Sequence, residues 1–189
     1  MPESQSPRRA HCTSRRRARL FVGPLLLSFS VALAADGGAQ DTRAMISPFF
    51  RLPSGIRLVE VTPETFGSRA DEVRKVRAFT FPDADRTTIY VNTNDPLWKH
   101  AANGEGHEFY RAVLASAVAH ELWHLTHGPS ESEALREELR VWQTFIRDRL
   151  VPTAEGLQHA VLVERDIRAA RVTELQALAA ARKYQPPAR

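Results

Sequence analysis

The apolar and polar positions divide the chain into a β-rich first half and a helical second half. Residues 41–55 carry the breakers Pro48, Pro53 and Gly55 and predict irregular chain. GIRLVEV, from Gly55 to Val61, alternates and holds β-branched residues, which predicts a strand. Ser68 to Val76 fits a short helix. RAFTF (Arg77 to Phe81) and TTIYV (Thr87 to Val91) flank FPDADR. That linker is a turn, because proline presets one dihedral and aspartate bonds its own backbone, so the two runs predict a hairpin. NTNDP ends the second strand, and the polar, glycine-bearing stretch Lys99 to Gly106 reads as a loop.

From Glu108 the pattern changes. EFYRAVLASAVAHELWHLTH has no breaker before Gly128 and Pro129, which predicts one helix closed by glycine and then proline. Its middle is apolar or small on every side, the mark of a buried central helix. Ser130 opens a second helix, with Ser130 and Glu133 spaced as a capping box. Leu135, Leu139, Trp142 and Ile146 form its apolar stripe. Pro152 interrupts. Residues 153–184, with Leu157, Val161, Ile167, Leu175 and Leu178, predict a last helix. The class is α+β: a small sheet with a hairpin, a central helix, then antiparallel C-terminal helices.

Charge alters this picture at one end only. Residues 1–39 hold six of the 26 basic residues and two of the 22 acidic ones, so the rest of the chain balances at twenty of each. A neutral body has no field to attract a polyanion, and nucleic acid is not an expected partner. The same segment places arginines ahead of an apolar run, Leu20 to Leu33, followed by small residues. That is the pattern of a secretory signal peptide, with cleavage expected after Ala34 or Ala39. The run of about 14 residues is short for a membrane span, which needs roughly 20. The division is then a leader (1–39), a core (40–150) and a helical extension (151–189), with a secreted or periplasmic location and no membrane span after cleavage. Cys12, the one cysteine, falls in the leader, so the remainder has no thiolate for a metal or a nucleophile.

The chemistry lies in AHELWHLTHGPSESEAL, Ala119 to Leu135. Four residues apart on a helix, His120 and His124 share one face, and both imidazoles can reach an ion about 2.0–2.1 Å away. Glu121 lies beside such an ion without binding it, placed to take a proton from a water. This H-E-x-x-H has the mechanics of zinc peptidases. Catalytic zinc takes three protein ligands. His127 is too far to share the ion, about 10.5 Å along the axis from His120 at 1.5 Å per residue. The next helix offers glutamates. Glu133 and Glu137 share a polar face, whereas Glu131 and Glu138 lie on the side facing the core. Register favours Glu131, with Glu138, Glu133 and Glu137 as alternatives.

With these residues the chain resembles the gluzincin zinc metallopeptidases, in particular minimal ones. His120-Glu121-Leu122-Trp123-His124 is followed on the next helix by Glu131, which opens a Glu-x-x-small-Asp pattern in that group. Ala134 matches the small residue. Leu135 stands where the group has an aspartate that supports a ligand histidine. The metzincin pattern fails at His127 and Ser130. The resemblance covers about residues 77–146. It implies a zincin-like fold, one Zn²⁺ on His120, His124 and Glu131, Glu121 as general base, and a peptide or protein substrate. It also implies an edge strand along the cleft, for which TTIYV is the candidate by position. A tetrahedral oxyanion needs a second donor, and Tyr110, His107, His159 and Tyr184 are the candidates. The competing expectation is a non-catalytic secreted helical domain whose motif is degenerate or holds a structural ion.

Overall fold

The computed structural model describes residues 41–103 and 107–183. The expected leader and Tyr184 lie outside the described residues. Within them the chain is α+β. The strands are β1 (Arg57–Val61), β2 (Ala78–Phe81) and β3 (Asp85–Asn92). The helices are α1 (Thr42–Ile46), α2 (Ala70–Val73), α3 (Pro96–Ala102), α4 (Glu108–His127), α5 (Glu131–Arg147) and α6 (Thr153–Lys183), with a 3-10 stretch over Pro63–Arg69.

β2 and β3 form the expected hairpin, with Phe79 opposite Tyr90. Asp85 closes it, accepting from the Thr87 amide at 2.8 Å and from the Thr87 and Thr88 hydroxyls at 2.6 Å. Those bonds hold the Asp85 carboxyl down at about 2. β1 pairs parallel to β3 on its other side, so the sheet order is β1-β3-β2. This corrects the expected edge strand. TTIYV lies in the central strand, and β2 is the outer strand nearest α4. The physical reason is that both edges of β3 are paired, with β1 on one side and β2 on the other, and both of its faces are also covered. Ile89 and Val91 are fully buried against the helical core, and Tyr90 packs opposite with Phe66, Phe79 and Phe81.

The same alternation orients β2. Phe79 and Phe81 join the aromatic cluster, and Ala78 and Thr80 face α4. α4 packs its apolar length, Ala112 to Ala119, into the core with Met45, Ile46, Trp142 and Phe145. α5 runs antiparallel to α4: Phe109 meets Trp142 with ring centroids 5.7 Å apart, while His120 and His124 at the other end meet Glu131. Fully buried Ala134 allows the close approach that its small side chain predicts. α6 turns back along α5. The Trp142 indole N–H donates to the Gly156 carbonyl at 2.7 Å, and Ser132 meets Glu174 at the far end.

Two segments differ from expectation. Residues 41–55 include α1, held from outside: the Thr42 amide and hydroxyl donate to Glu60 at 2.8 and 2.5 Å, and the Trp98 indole donates to Thr42. The loop expected from Lys99 begins inside α3, which Asp95 caps through the Leu97 amide and Pro96 starts.

Candidate metal site

The site forms where the last turns of α4 meet the first turn of α5. α4 ends at Gly128, whose φ of 117° only glycine adopts without strain. That backbone turns the Gly128 carbonyl onto His124, whose Nδ1–H donates to it at 2.8 Å. With Nδ1 committed as a donor, Nε2 of His124 carries the lone pair. His120 differs, since its Nδ1 faces a carboxylate without an aligned hydrogen bond. Its buried Nδ1 lies 3.3 Å from the Glu138 carboxylate, and its Nε2 points to the shared site. Glu131 completes the group from α5.

The donor atoms converge. The two Nε2 atoms are 3.2 Å apart, and Glu131 Oε2 lies 3.7 Å from His120 Nε2 and 3.5 Å from His124 Nε2. Donors about 2.05 Å from one tetrahedral ion stand roughly 3.3 Å from each other. The group His120, His124 and Glu131 could therefore hold a metal ion.

The electrostatics fit a cation at this point. Burial works against charge on His120, but Glu131 and Glu138 outweigh it and push its pKa up to about 10. Burial also disfavours charge on His124, yet Glu131 and the Gly128 carbonyl raise its pKa. Glu131 shows the reverse: burial favours its protonated form, but the two histidines hold it well below the usual carboxylate range. Glu121 differs again. Burial pushes it up to about 7, against the pull of His120 and His124. Its Oε2 accepts from the Thr80 hydroxyl of β2 at 3.2 Å, which ties it to the outer strand.

Of the other glutamates, Glu133 and Glu137 engage Arg136 and Arg140 of their own helix and take no part. Half of the expected capping box is present. Ser130 Oγ accepts from the Glu133 amide at 3.4 Å, but the carboxylate that reaches back to the helix start is Glu174 of α6. Glu174 accepts from the Ser132 amide at 3.0 Å and from the Ser132 and Ser130 hydroxyls at 2.6 and 3.1 Å. It so fixes both neighbours of Glu131.

The described oxyanion candidates are not brought to the site. His107 and Tyr110 stack near His100 around the start of α4, and His159 lies on Trp142 at a centroid distance of 4.4 Å. Tyr110 is ten residues, about 15 Å of helix axis, from His120. His127 stacks on Trp123 in the last turn of α4.

Thr80 and Glu174 were not among the sequence candidates. Glu138, an alternative ligand by sequence, lies instead behind His120, 3.3 Å from its Nδ1. The alternation of β2 is the one sequence signal for Thr80. Nothing local signals Glu174, 43 residues from Glu131. Compared with known proteins, the chain matches no protein-family model, no curated protein and no solved structure.

Proposed function

We propose that the chain is an exported zinc-dependent peptidase with a gluzincin-like, zincin-type active site. One observation carries this reading. Three electron-pair donors converge, both histidines have their other ring nitrogen committed or facing a carboxylate, and a carboxylate that is no part of the trio stands beside them.

His120, His124 and Glu131 would hold the ion. Two imidazoles and a carboxylate suit Zn²⁺, though other first-row ions use the same donors. Bound there, zinc supplies Lewis acidity to a water and to a peptide carbonyl. The protein does the rest. Glu121, raised by burial to about 7, is suited to take a proton at its carboxylate near neutral pH and to give it to the leaving amine. The Thr80 hydroxyl holds that carboxylate in place. Glu138 orients His120 from behind, one turn beyond Leu135, where the resemblance leads one to expect an aspartate.

The test is hydrolysis of an unfolded protein by the zinc-loaded chain and by Glu121→Gln. The variant should keep its metal and lose about 10²–10⁴-fold in rate, the usual worth of a general base. Full activity in Glu121→Gln would remove that role. A second reading, a non-catalytic domain holding a structural ion, has one observation in its favour: Tyr110 and His107 stack together at the opposite end of α4 from the histidine pair. Metal without hydrolysis of any peptide would select it.

A further inference from the structure

Glu131 is the first residue of α5. The first N–H groups of a helix have no partner inside it, and helix ends fray. Packing does not compensate at Glu131, whose side chain is 44% exposed. Yet its Oε2 stands within 3.7 Å of both histidine Nε2 atoms. Donors that share one ion must be held to about 0.5 Å. A ligand in a terminal turn therefore needs that turn fixed from elsewhere.

In a full capping box the Glu133 carboxylate would fix it from within α5. Glu133 is instead engaged by Arg136. The start of α5 is held from α6. Glu174 Oε1 accepts from the Ser132 amide at 3.0 Å and from the Ser130 hydroxyl at 3.1 Å. Its Oε2 accepts from the Ser132 hydroxyl at 2.6 Å. Ser132 is fully buried, where a hydroxyl without an acceptor is costly. The Ser130 oxygen that donates to Glu174 also accepts from the Glu133 amide. These bonds clamp the residue on each side of Glu131. The negative carboxylate also meets the positive end of the α5 macrodipole.

Glu174 reaches this place because α6 is anchored along α5. Val163, Ile167 and Ala170 pack with Leu135 and Leu139, and Glu174 follows Ala170 by one turn on the same face. The carboxylate is thus fixed by a helix already docked.

We infer that Glu174 is a positioning residue of the metal site: through Ser130 and Ser132 it sets the first turn of α5 so that Glu131 meets the histidine pair. This rests on reading His120, His124 and Glu131 as a zinc site. α6 is then part of that site, although none of its described residues joins the ligand group. By linkage, zinc binding and docking of the second half of α6 strengthen each other.

Zinc titration of the full chain against a chelating dye, beside Glu174→Ala, tests this. Glu174→Ala should keep its helical circular dichroism and bind zinc roughly 10–100-fold more weakly. Glu174→Gln, whose amide oxygen accepts the two bonds now made to Oε1, should recover most of the affinity. Ser132→Ala, which deletes the 2.6 Å bond alone, should weaken binding by less, and it carries the test where Glu174→Ala does not fold. Glu164→Ala, on the exposed side of α6, should bind zinc as the wild type does. Amide hydrogen exchange separates positioning from a merely structural contact. Saturating zinc should slow exchange around Glu174 in the wild type and leave it unchanged in Glu174→Ala. Equal zinc affinity in the wild type and the Glu174 and Ser132 variants, or zinc protection of α6 that survives Glu174→Ala, would overturn this inference alone. A wild type that binds no zinc would overturn the zinc-site reading and this inference with it.

Discussion

Histidines gather at both ends of α4, and the two groups behave oppositely. Around its start, His100, His107 and His159 lie among Tyr110, Phe109 and Trp142. Burial there lowers the pKa of His159 and favours the neutral ring. At its end, His120 is also buried, yet two carboxylates raise it to about 10. One group stacks on aromatic faces. The other aims lone pairs at a common point beside Glu131. The difference shows that histidine becomes a ligand candidate through what holds its second nitrogen and what faces its first, not through burial or number.

The largest effect should follow from the histidines themselves. His120→Ala or His124→Ala should abolish zinc binding, read by elemental analysis after dialysis, while His159→Phe should leave stoichiometry unchanged. Zinc at a thousandfold excess over its dissociation constant should stabilise the wild type and His159→Phe by about 4 kcal/mol and the other two not at all. Equal loss of metal in all three would erase the contrast.

Glu138→Gln probes the carboxylate that the aromatic group lacks. Zinc affinity, measured by competition with a chelating dye, should fall roughly 10–100-fold. Unchanged affinity would mean that Glu138 does not orient His120.

Gly128→Ala should cost about 1–3 kcal/mol by placing a side chain at positive φ. It should also weaken zinc binding by disturbing the carbonyl that holds His124. Denaturant unfolding and the same competition assay separate the two effects.

The smallest effect is pH dependence of the chelator-treated protein. His120, raised from 6.5 to about 10, contributes stability that is full below 6.5 and lost as pH rises through about 10. Glu121, raised from 4.5 to about 7, contributes in the same sense, full below 4.5 and gone once pH has risen through about 7. Stability should therefore decline from pH 5.5 to 9, and Glu121→Gln should flatten the part below about 7. A rise over that range would contradict both assignments.

Much of this was legible in the residues. A helix from Glu108 to a glycine stop follows from a breaker-free run and Gly128. The hairpin follows from two alternating runs around Pro82 and Asp83. Register placed Glu131 opposite His120 and His124, because HGPS is too short for anything but an antiparallel return. What was not legible depends on contacts distant in sequence. The parallel pairing of β1 with β3 made TTIYV central, and no local pattern marks a strand's neighbours. α1 is stabilised by Glu60 and Trp98. Glu174 caps α5 from another helix. The oxyanion candidates rest on chemistry alone, and helical rise separates Tyr110 and His107, at the start of α4, from the histidine pair at its end. α3 is a different case, since Asp95 and Pro96 are a local start signal that the end of the strand concealed.

Zinc content of the dialysed chain beside Glu131→Ala tests the central claim most directly. The account predicts about one zinc per chain, lost in the variant. No zinc in the wild type after zinc addition, or equal zinc in both proteins, would contradict it.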